Sequence, residues 1–191
     1  TISAIEVFSG STRVASVDCG GAGTGGITVQ PTVLVNEGTL SATNAESLTV
    51  AGAWSNTGSI SASGGSLYLA GSFTTAGIGN LDGSQGAVYL TGSLDNRDTT
   101  FQPNDTTGSI RILGGSITGG RIQAAGAAKL IATWSDGRLS GVTLGSDLDV
   151  SSGQIHVSEG LTLDHATVRL GSRSGESGYV YLDHGTQAIA G

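Results

Sequence analysis

The sequence predicts an all-β protein, a right-handed parallel β-helix (β-solenoid) with three short strands in each coil. Two observations carry this prediction: a composition that disfavours helices, and three series of apolar residues that recur about every 20 residues. Residues 1–191 are expected to form one solenoid domain of about nine to ten coils, in which residues 1–26 form a less regular first coil. Right-handedness is expected from the general preference for right-handed parallel crossovers.

Composition excludes several other classes. Glycine contributes 33 of the 191 residues and only 12% of the residues are charged, against about 7% and about 25% in an ordinary domain. Glycine, serine and threonine are poor helix formers, and an apolar fraction of 37% is too high for a disordered linker. A net charge of −7 disfavours nucleic-acid binding, which depends on lysine and arginine. No apolar run is long enough to span a membrane, and the single cysteine, Cys19, excludes an internal disulfide.

Three registers of apolar residues each predict one column of stacked strands. The triplets of the first register begin at Ile5, Ile27, Leu48, Leu67, Val88, Ile110, Leu130, Leu148, Val168 and Ala188. The second register contains Leu40, Ile60, Leu81, Phe101, Ile122, Leu144, Leu163 and Leu182, and the third contains Val33, Trp54, Phe73, Leu94, Ile117, Leu139 and Ile155. Glycine, serine, asparagine and aspartate lie between the registers and suit sharp corners. A β-sandwich is the alternative, but its hairpin signals, Asp82-Gly83 and Asp136-Gly137, do not recur with the period.

The middle residue of each first-register triplet is expected to face solvent, because side chains alternate along a strand. From coil to coil these residues are Glu6, Thr28, Thr49, Tyr68, Tyr89, Arg111, Ile131, Asp149, Arg169 and Ile189. Tyr68 and Tyr89 should stack about 4.8 Å apart, with Arg111 one coil further on. These three residues are the candidate binding site, a platform for a sugar ring or a partner protein. The alternative is an aromatic ladder that shields the sheet; Asp149 and Arg169 are expected to form a surface ion pair.

Three segments carry a resemblance to known repeats. They are Ser55-Asn56-Thr57-Gly58-Ser59-Ile60, Gly141-Val142-Thr143-Leu144-Gly145-Ser146-Asp147-Leu148-Asp149-Val150 and Glu159-Gly160-Leu161-Thr162-Leu163-Asp164. Repeats of this kind resemble those of exported bacterial surface proteins, the filamentous-haemagglutinin-like adhesins and autotransporter passenger domains. The resemblance runs from about Ile27 to the end. It implies a right-handed parallel β-helix, a cell-surface or extracellular location and a longer parent protein, and it carries no catalytic motif.

Two Leu-Asp-His segments, 19 residues apart, contain Asp164 with His165 and Asp183 with His184. This spacing predicts one column of aspartates and a neighbouring column of histidines. Clusters of this kind can bind a metal ion or act as acid and base, and the motif is faintly similar to a strand motif of pectin-cleaving β-helix enzymes. The alternative is that these residues only form corners, where aspartate is favoured.

Two irregular segments, residues 95–108 and 173–178, interrupt the period and could carry a function that periodicity does not show. The first contains a polar group that could hold a calcium ion weakly, although a solvated loop is the alternative. The group consists of Asp95, Asn96, Asp98, Asn104 and Asp105. No nucleophile elbow is present, and the glycine-rich run at residues 20–26 lacks the lysine of a phosphate-binding loop.

The sequence therefore predicts a structural and adhesive module of a secreted or cell-surface bacterial protein, not an enzyme. Its rigid rod would present repeated sheet faces to glycans or to host or cell-surface proteins, with many weak contacts adding up. No cofactor, metal ion, nucleic acid or membrane insertion is expected, and exposed strand edges favour end-to-end self-association. The alternatives are a carbohydrate-binding module that uses Tyr68 and Tyr89 and a polysaccharide lyase or hydrolase.

Overall fold

The structure is a computed structural model that describes residues 17–18, 25–42, 46–171, 174–183 and 188–191. The described residues form short strands and no helix, and so contain no helix able to cross a membrane. In chain order the strands are β1 (Val17–Asp18), β2 (Gly26–Val29), β3 (Val33–Asn36), β4 (Thr39–Ala42), β5 (Ser47–Val50), β6 (Ala53–Asn56), β7 (Ser59–Ala62), β8 (Ser66–Leu69), β9 (Ser72–Thr74), β10 (Asn80–Asp82), β11 (Ala87–Leu90), β12 (Ser93–Asp95), β13 (Thr100–Phe101), β14 (Ile110–Ile112), β15 (Ser116–Thr118), β16 (Arg121–Ile122), β17 (Leu130–Ala132), β18 (Gly137–Leu144), β19 (Leu148–Asp149), β20 (Ser152–Leu163), β21 (Val168–Arg169), β22 (Ser177–Leu182) and β23 (Ile189–Ala190).

The strands pair in parallel from one turn to the next and build three sheets. The first sheet has the order β2-β5-β8-β11-β14-β17-β19-β21, and the second has the order β1-β4-β7-β10. The third has the order β13-β16-β18-β15-β12-β9-β6-β3, and β20 pairs with β18, β22 and β23. The described residues therefore form an all-β parallel solenoid of about seven turns, with roughly 21 residues per turn. The predicted β-solenoid is confirmed.

The first register is confirmed from Ile27 to Val168. Its members pair in the predicted order, Ile27 with Leu48 and then Leu67, Val88, Ile110, Leu130, Leu148 and Val168. The prediction for Ala188 is wrong, because the strand that follows it pairs with β20 in the third sheet. β22 and β23 cover the two halves of β20, so the last described strands complete the third sheet rather than the first. Ile5 and Cys19 lie outside the described residues.

The third register begins one residue later than predicted. Leu34 pairs with Trp54 and is buried, whereas Val33 points outward and is 67% exposed. The segment Val33-Leu34-Val35 is apolar throughout, so hydrophobicity alone does not distinguish its inward position from its outward ones. Because Leu34 pairs with the inward Trp54, Leu34 is the residue of this segment that faces the core.

The registers are also displaced near the C-terminus. Val157, not Ile155, pairs with Leu139, and Val157 also pairs with Leu182. Leu182 therefore does not stack on Leu163, as the second register predicts. Ile155 and Val157 are both fully buried on one long strand, so the sequence pattern alone does not decide which one lies over Leu139.

The corner between the third and second registers straightens in the later turns. There β18 and β20 each run through both registers as one strand of 8 and 12 residues. A register shift between Ser140 and Val142 takes the place of the corner. Three separate strands per coil, as predicted, therefore describe only the earlier turns.

The inward side chains form one aliphatic core in which the rings of Trp54 and Phe73 stack 4.2 Å apart. A ladder of buried asparagines lines one corner beside it. Asn36 Nδ2 donates to Asn56 Oδ1 at 2.7 Å, and Asn56 Nδ2 donates to the carbonyl of Ile78 at 2.8 Å. Buried polar groups need such partners, so this ladder fixes where the chain turns.

Candidate functional site

The predicted site residues lie on the outer face of the first sheet, where β8, β11 and β14 are neighbours. Tyr68 pairs with Tyr89, and Tyr89 pairs with Arg111. The two tyrosine rings stack with centroids 5.0 Å apart and an interplanar angle of 14°, which is the arrangement that the spacing predicts. All three side chains are half-buried.

This stack determines what the pair can offer a ligand. Nearly parallel rings at 5.0 Å cover each other's facing surfaces. On their outer sides the two rings have Thr49 and Arg111 as neighbours in register. Tyr68 and Tyr89 therefore present mainly ring edges and hydroxyl groups to solvent, which suits hydrogen bonding better than stacking of a sugar ring. A binding role for Tyr68, Tyr89 and Arg111 stays a prediction.

The predicted ion pair between Asp149 and Arg169 is replaced by another contact. The two residues are paired in register, but the Arg169 guanidinium lies 3.2 Å from Asp147 Oδ2. Asp149 Oδ1 instead accepts a hydrogen bond from the Ser151 hydroxyl at 2.6 Å, which lowers the pKa of the Asp149 carboxyl. An arginine side chain is long enough to reach a carboxylate off its own row, so pairing in register did not decide its partner.

The two Leu-Asp-His segments do not form the predicted columns. Asp164 Oδ2 lies 2.6 Å from Arg121 Nη1, and Asp164 Oδ1 lies 2.6 Å from the exposed His165 ring. The hydrogen bond from Arg121, with that of His165 second, lowers the pKa of Asp164. Asp183 lies in a different row, because its strand pairs with Val157 rather than Leu163. His184 lies outside the described residues.

The polar side chains of residues 95–108 that the structure brings into contact bond to protein groups, some of them within the segment and some on the next turn. Arg97 donates to both carboxylate oxygens of Asp95, which lowers the pKa of that carboxyl to about 2. Asn96 is fully buried and donates to the carbonyls of Gly119 and Arg121, at 3.1 and 2.9 Å. Among the described residues, no three His, Cys, Asp or Glu side chains converge as metal ligands do.

The structure brings together a second set of residues that the sequence did not single out. His156, Tyr179 and Tyr181 lie on the outer face of the third sheet, near its C-terminal end, and Trp134 lies in the bend that precedes β18. We name these four rings the aromatic surface. His156 and Tyr181 stack at 4.8 Å, Tyr179 and Tyr181 lie 6.1 Å apart, and Trp134 and Tyr179 lie 5.9 Å apart. The Trp134, Tyr179 and Tyr181 residues are 53%, 49% and 42% exposed.

Polar side chains border the aromatic surface and are held by mutual contacts. His156 Nδ1 lies 2.9 Å from both carboxylate oxygens of Asp183, and Arg138 Nη1 lies 3.2 Å from Asp183 Oδ2. On the other side, the Gln154 amide donates to the carboxylate of Asp136, which also lies 3.5 Å from His156 Nε2. An acid on each side of an imidazole, beside exposed aromatic rings, can bind hydroxyl groups and can exchange protons.

Strand register is the signal that was needed to find this site. Arg138, His156 and Tyr181 form one outward row, with Gln154 and Tyr179 in the next. Sequence reasoning followed the outward residues of the first sheet only. The outward residues of the third sheet required the correct pairing of Val157 with Leu182, which the apolar pattern misplaced.

The fold and its surfaces define a parallel β-solenoid with an exposed aromatic and charged surface near one end. Comparisons with protein-family models, with curated proteins and with solved structures find no match for this chain.

Proposed function

We propose that this chain is a structural and adhesive module of a secreted or cell-surface bacterial protein, a rigid rod that presents repeated sheet faces to glycans or cell-surface proteins. In this proposal the solenoid is right-handed, of the filamentous-haemagglutinin-like or autotransporter type. The solenoid has nine to ten coils, and copies associate end to end. The module has no catalytic activity of its own.

The observation that carries the proposal is the unbroken parallel ladder of the first sheet. Eight strands stack in register, so an outward side chain on an inner strand has neighbours one turn before and one turn after it. A surface repeated along one axis lets weak contacts act together, because each contact after the first is made at a high effective concentration. A net charge of −7 suits contact with uncharged or cationic partners.

A polysaccharide-binding or polysaccharide-cleaving protein is the second candidate. The specific observation in its favour is the group of Asp136, Arg138, His156 and Asp183, where acids and bases converge beside exposed rings. Cleavage of a glycosidic bond requires a proton donor and a nucleophile or base at such a place.

The test is retention of beads coated with the chain on a glycan array and on epithelial and bacterial cell layers, with reducing ends measured in the same samples. A double variant, Tyr68→Ala with Tyr89→Ala, tests the first-sheet site. Beads carrying heat-unfolded chain are the control for nonspecific adhesion.

Retention of the folded chain without new reducing ends is the expected result. Loss of retention in the double variant would place the contact at Tyr68 and Tyr89. Beads that are retained no better than the unfolded control would refute the adhesive function, and new reducing ends would replace it by the enzymatic one.

A further inference from the structure

We infer that the aromatic surface binds an uncharged polysaccharide, whose sugar rings pack on Trp134 and Tyr179 and whose hydroxyl groups bond to the surrounding polar side chains. This inference deepens the glycan-binding part of the proposed function and rests on it. It places the contact on the third sheet, away from Tyr68 and Tyr89.

The exposed rings are the first reason. Trp134, Tyr179 and Tyr181 each lie within 6.1 Å of another member of the group, and each is more than two-fifths exposed. A contiguous patch of exposed rings indicates a ligand-binding or interaction surface, whereas single exposed apolar residues are normal on protein surfaces. The apolar C–H face of a sugar ring packs against an aromatic face, while the tyrosine hydroxyl and indole N–H remain available for hydrogen bonds.

The polar border is the second reason. Asp136 and Asp183 accept hydrogen bonds, and Gln154 and Arg138 donate them, which together match the mixed donors and acceptors of sugar hydroxyls. Mutual contacts already hold these groups: Gln154 bonds to Asp136, and Arg138 lies 3.2 Å from Asp183. A site whose side chains are ordered before binding loses less conformational entropy when the ligand arrives.

The charge of the border selects an uncharged ligand. The one arginine of the group is paired with Asp183, and Asp136 adds a second carboxylate on the other side of His156. No cation of this group is left to balance an anionic sugar, on a chain whose net charge is −7. Uronate-rich or sulfated chains should therefore be repelled, whereas neutral chains are not.

The outward row that contains His156 and Tyr181 continues along the third sheet towards the N-terminus and becomes a row of serines. Ser72, Ser93, Ser116 and Arg138 are successive neighbours in register, and His156 and Tyr181 follow in the same row. A groove of about 600 Å³ lies over the N-terminal part of this face. At about 4.8 Å per turn, the row extends roughly 24 Å. An extended linear chain seated on the rings can therefore follow this row along the axis and reach the groove beside Ser72 and Ser93.

The experiment is native electrophoresis in gels that contain one soluble polysaccharide each. The neutral probes are mixed-linkage β-glucan, xyloglucan, galactomannan and glycogen, and polygalacturonate is the anionic probe. The variants are Trp134→Ala, Tyr179→Ala and the conservative Tyr179→Phe. Thr28→Ala with Thr49→Ala, an outward pair on the first sheet, is the matched control. Circular dichroism and the urea midpoint of each variant verify that it is folded.

We expect at least one neutral probe to retard the wild-type chain and polygalacturonate not to retard it. Trp134→Ala and Tyr179→Ala should each weaken binding about fivefold or more, as truncation of a central aromatic contact does. The control double variant should bind within about twofold of wild type, because the aromatic surface is intact. Tyr179→Phe should bind better than Tyr179→Ala, because it keeps the ring face and loses only the hydroxyl group.

Three results would overturn the inference: no retardation by any neutral probe, equal retardation of wild type, Trp134→Ala and Tyr179→Ala, or retardation by polygalacturonate alone. A concentration-dependent oligomer that Trp134→Ala dissociates would instead assign this surface to a second copy of the chain. If the gels refute this inference but beads carrying the Trp134→Ala or Tyr179→Ala chain still adhere to cells, the adhesive function stands and only this inference fails. If wild-type beads do not adhere and no neutral probe retards the wild-type chain, both proposals fail.

Discussion

Gly71 is the position at which a single methyl group should disrupt the stacking of two turns. It lies immediately before β9 with φ of +68°, a conformation that L side chains rarely adopt. A Cβ there would clash with the carbonyl oxygen of Gly52 on the preceding turn, and would lie 2.6 Å from the Gly52 nitrogen. These are backbone atoms, so no side-chain rotation relieves the clash.

The expected cost of Gly71→Ala has two parts. The left-handed conformation costs about 1–2 kcal/mol for a residue with a Cβ. Relief of the clash requires the turns to separate where Ser72 N donates to Gly52 O at 2.8 Å, and such overpacking adds about 1–3 kcal/mol. The free energy of unfolding should therefore fall by about 2–5 kcal/mol.

Urea unfolding followed by circular dichroism measures this loss, and amide exchange at Ser72 locates it. Gly175→Ala is the matched control, because Gly175 has φ of +90° but no atom lies within 4 Å of its added Cβ. Gly175→Ala should therefore lower the free energy of unfolding only by the cost of the left-handed conformation. Gly25→Ala, whose nearest contact would be 3.9 Å away, should change stability little.

The reasoning is refuted if Gly71→Ala loses no more stability than Gly175→Ala. In that case the left-handed backbone alone would explain the glycine. The close approach of successive turns would then contribute nothing to the choice of residue.

Three further predictions follow from contacts described above. Asn56→Ala should lower the free energy of unfolding by about 2–4 kcal/mol, because buried carbonyls lose their donor; a urea-measured loss under about 1 kcal/mol would contradict it. Asp95 should titrate by NMR at about 2, and Arg97→Gln should raise that pKa towards about 3.9. Because the folded value is the lower one, this pair stabilises the fold above about pH 4 and the effect disappears as the pH falls through about 2. A double-mutant cycle on Tyr68 and Tyr89 should give a coupling of about 0.5–1.5 kcal/mol, and zero coupling would exclude a stabilising ladder.

The first sheet could be predicted from sequence because its period is nearly constant and its triplets alternate cleanly. From Ile27 to Val168 each apolar triplet lies where the spacing puts it, and the outward stack of Tyr68 on Tyr89 follows from the same register. Alternation along a strand fixes the face, and repetition fixes the neighbour.

The aromatic surface could not be predicted in this way, because the period changes there. Arg138 and His156 are 18 residues apart, whereas His156 and Tyr181 are 25 apart, yet both pairs are neighbours in register. The apolar series places Ile155 rather than Val157 over Leu139, and it places Leu182 over Leu163 rather than over Val157, so the outward residues beside them fall in the wrong rows. The asparagine ladder was missed for another reason. Asparagine is common in turns whether or not it is buried, so the sequence does not distinguish a buried asparagine from an exposed one.

The variable number of residues between paired positions of the first sheet has a consequence for insertions into the solenoid. Its paired residues are separated by as few as 18 positions, between Leu130 and Leu148, and by as many as 22, between Val88 and Ile110, without a break in the ladder. The axial rise is thus set by hydrogen bonds between turns and not by the number of residues in a corner. A peptide inserted at one corner would therefore not change the axial position of the other turns. Epitopes displayed at several corners of this solenoid would keep fixed axial distances from one another.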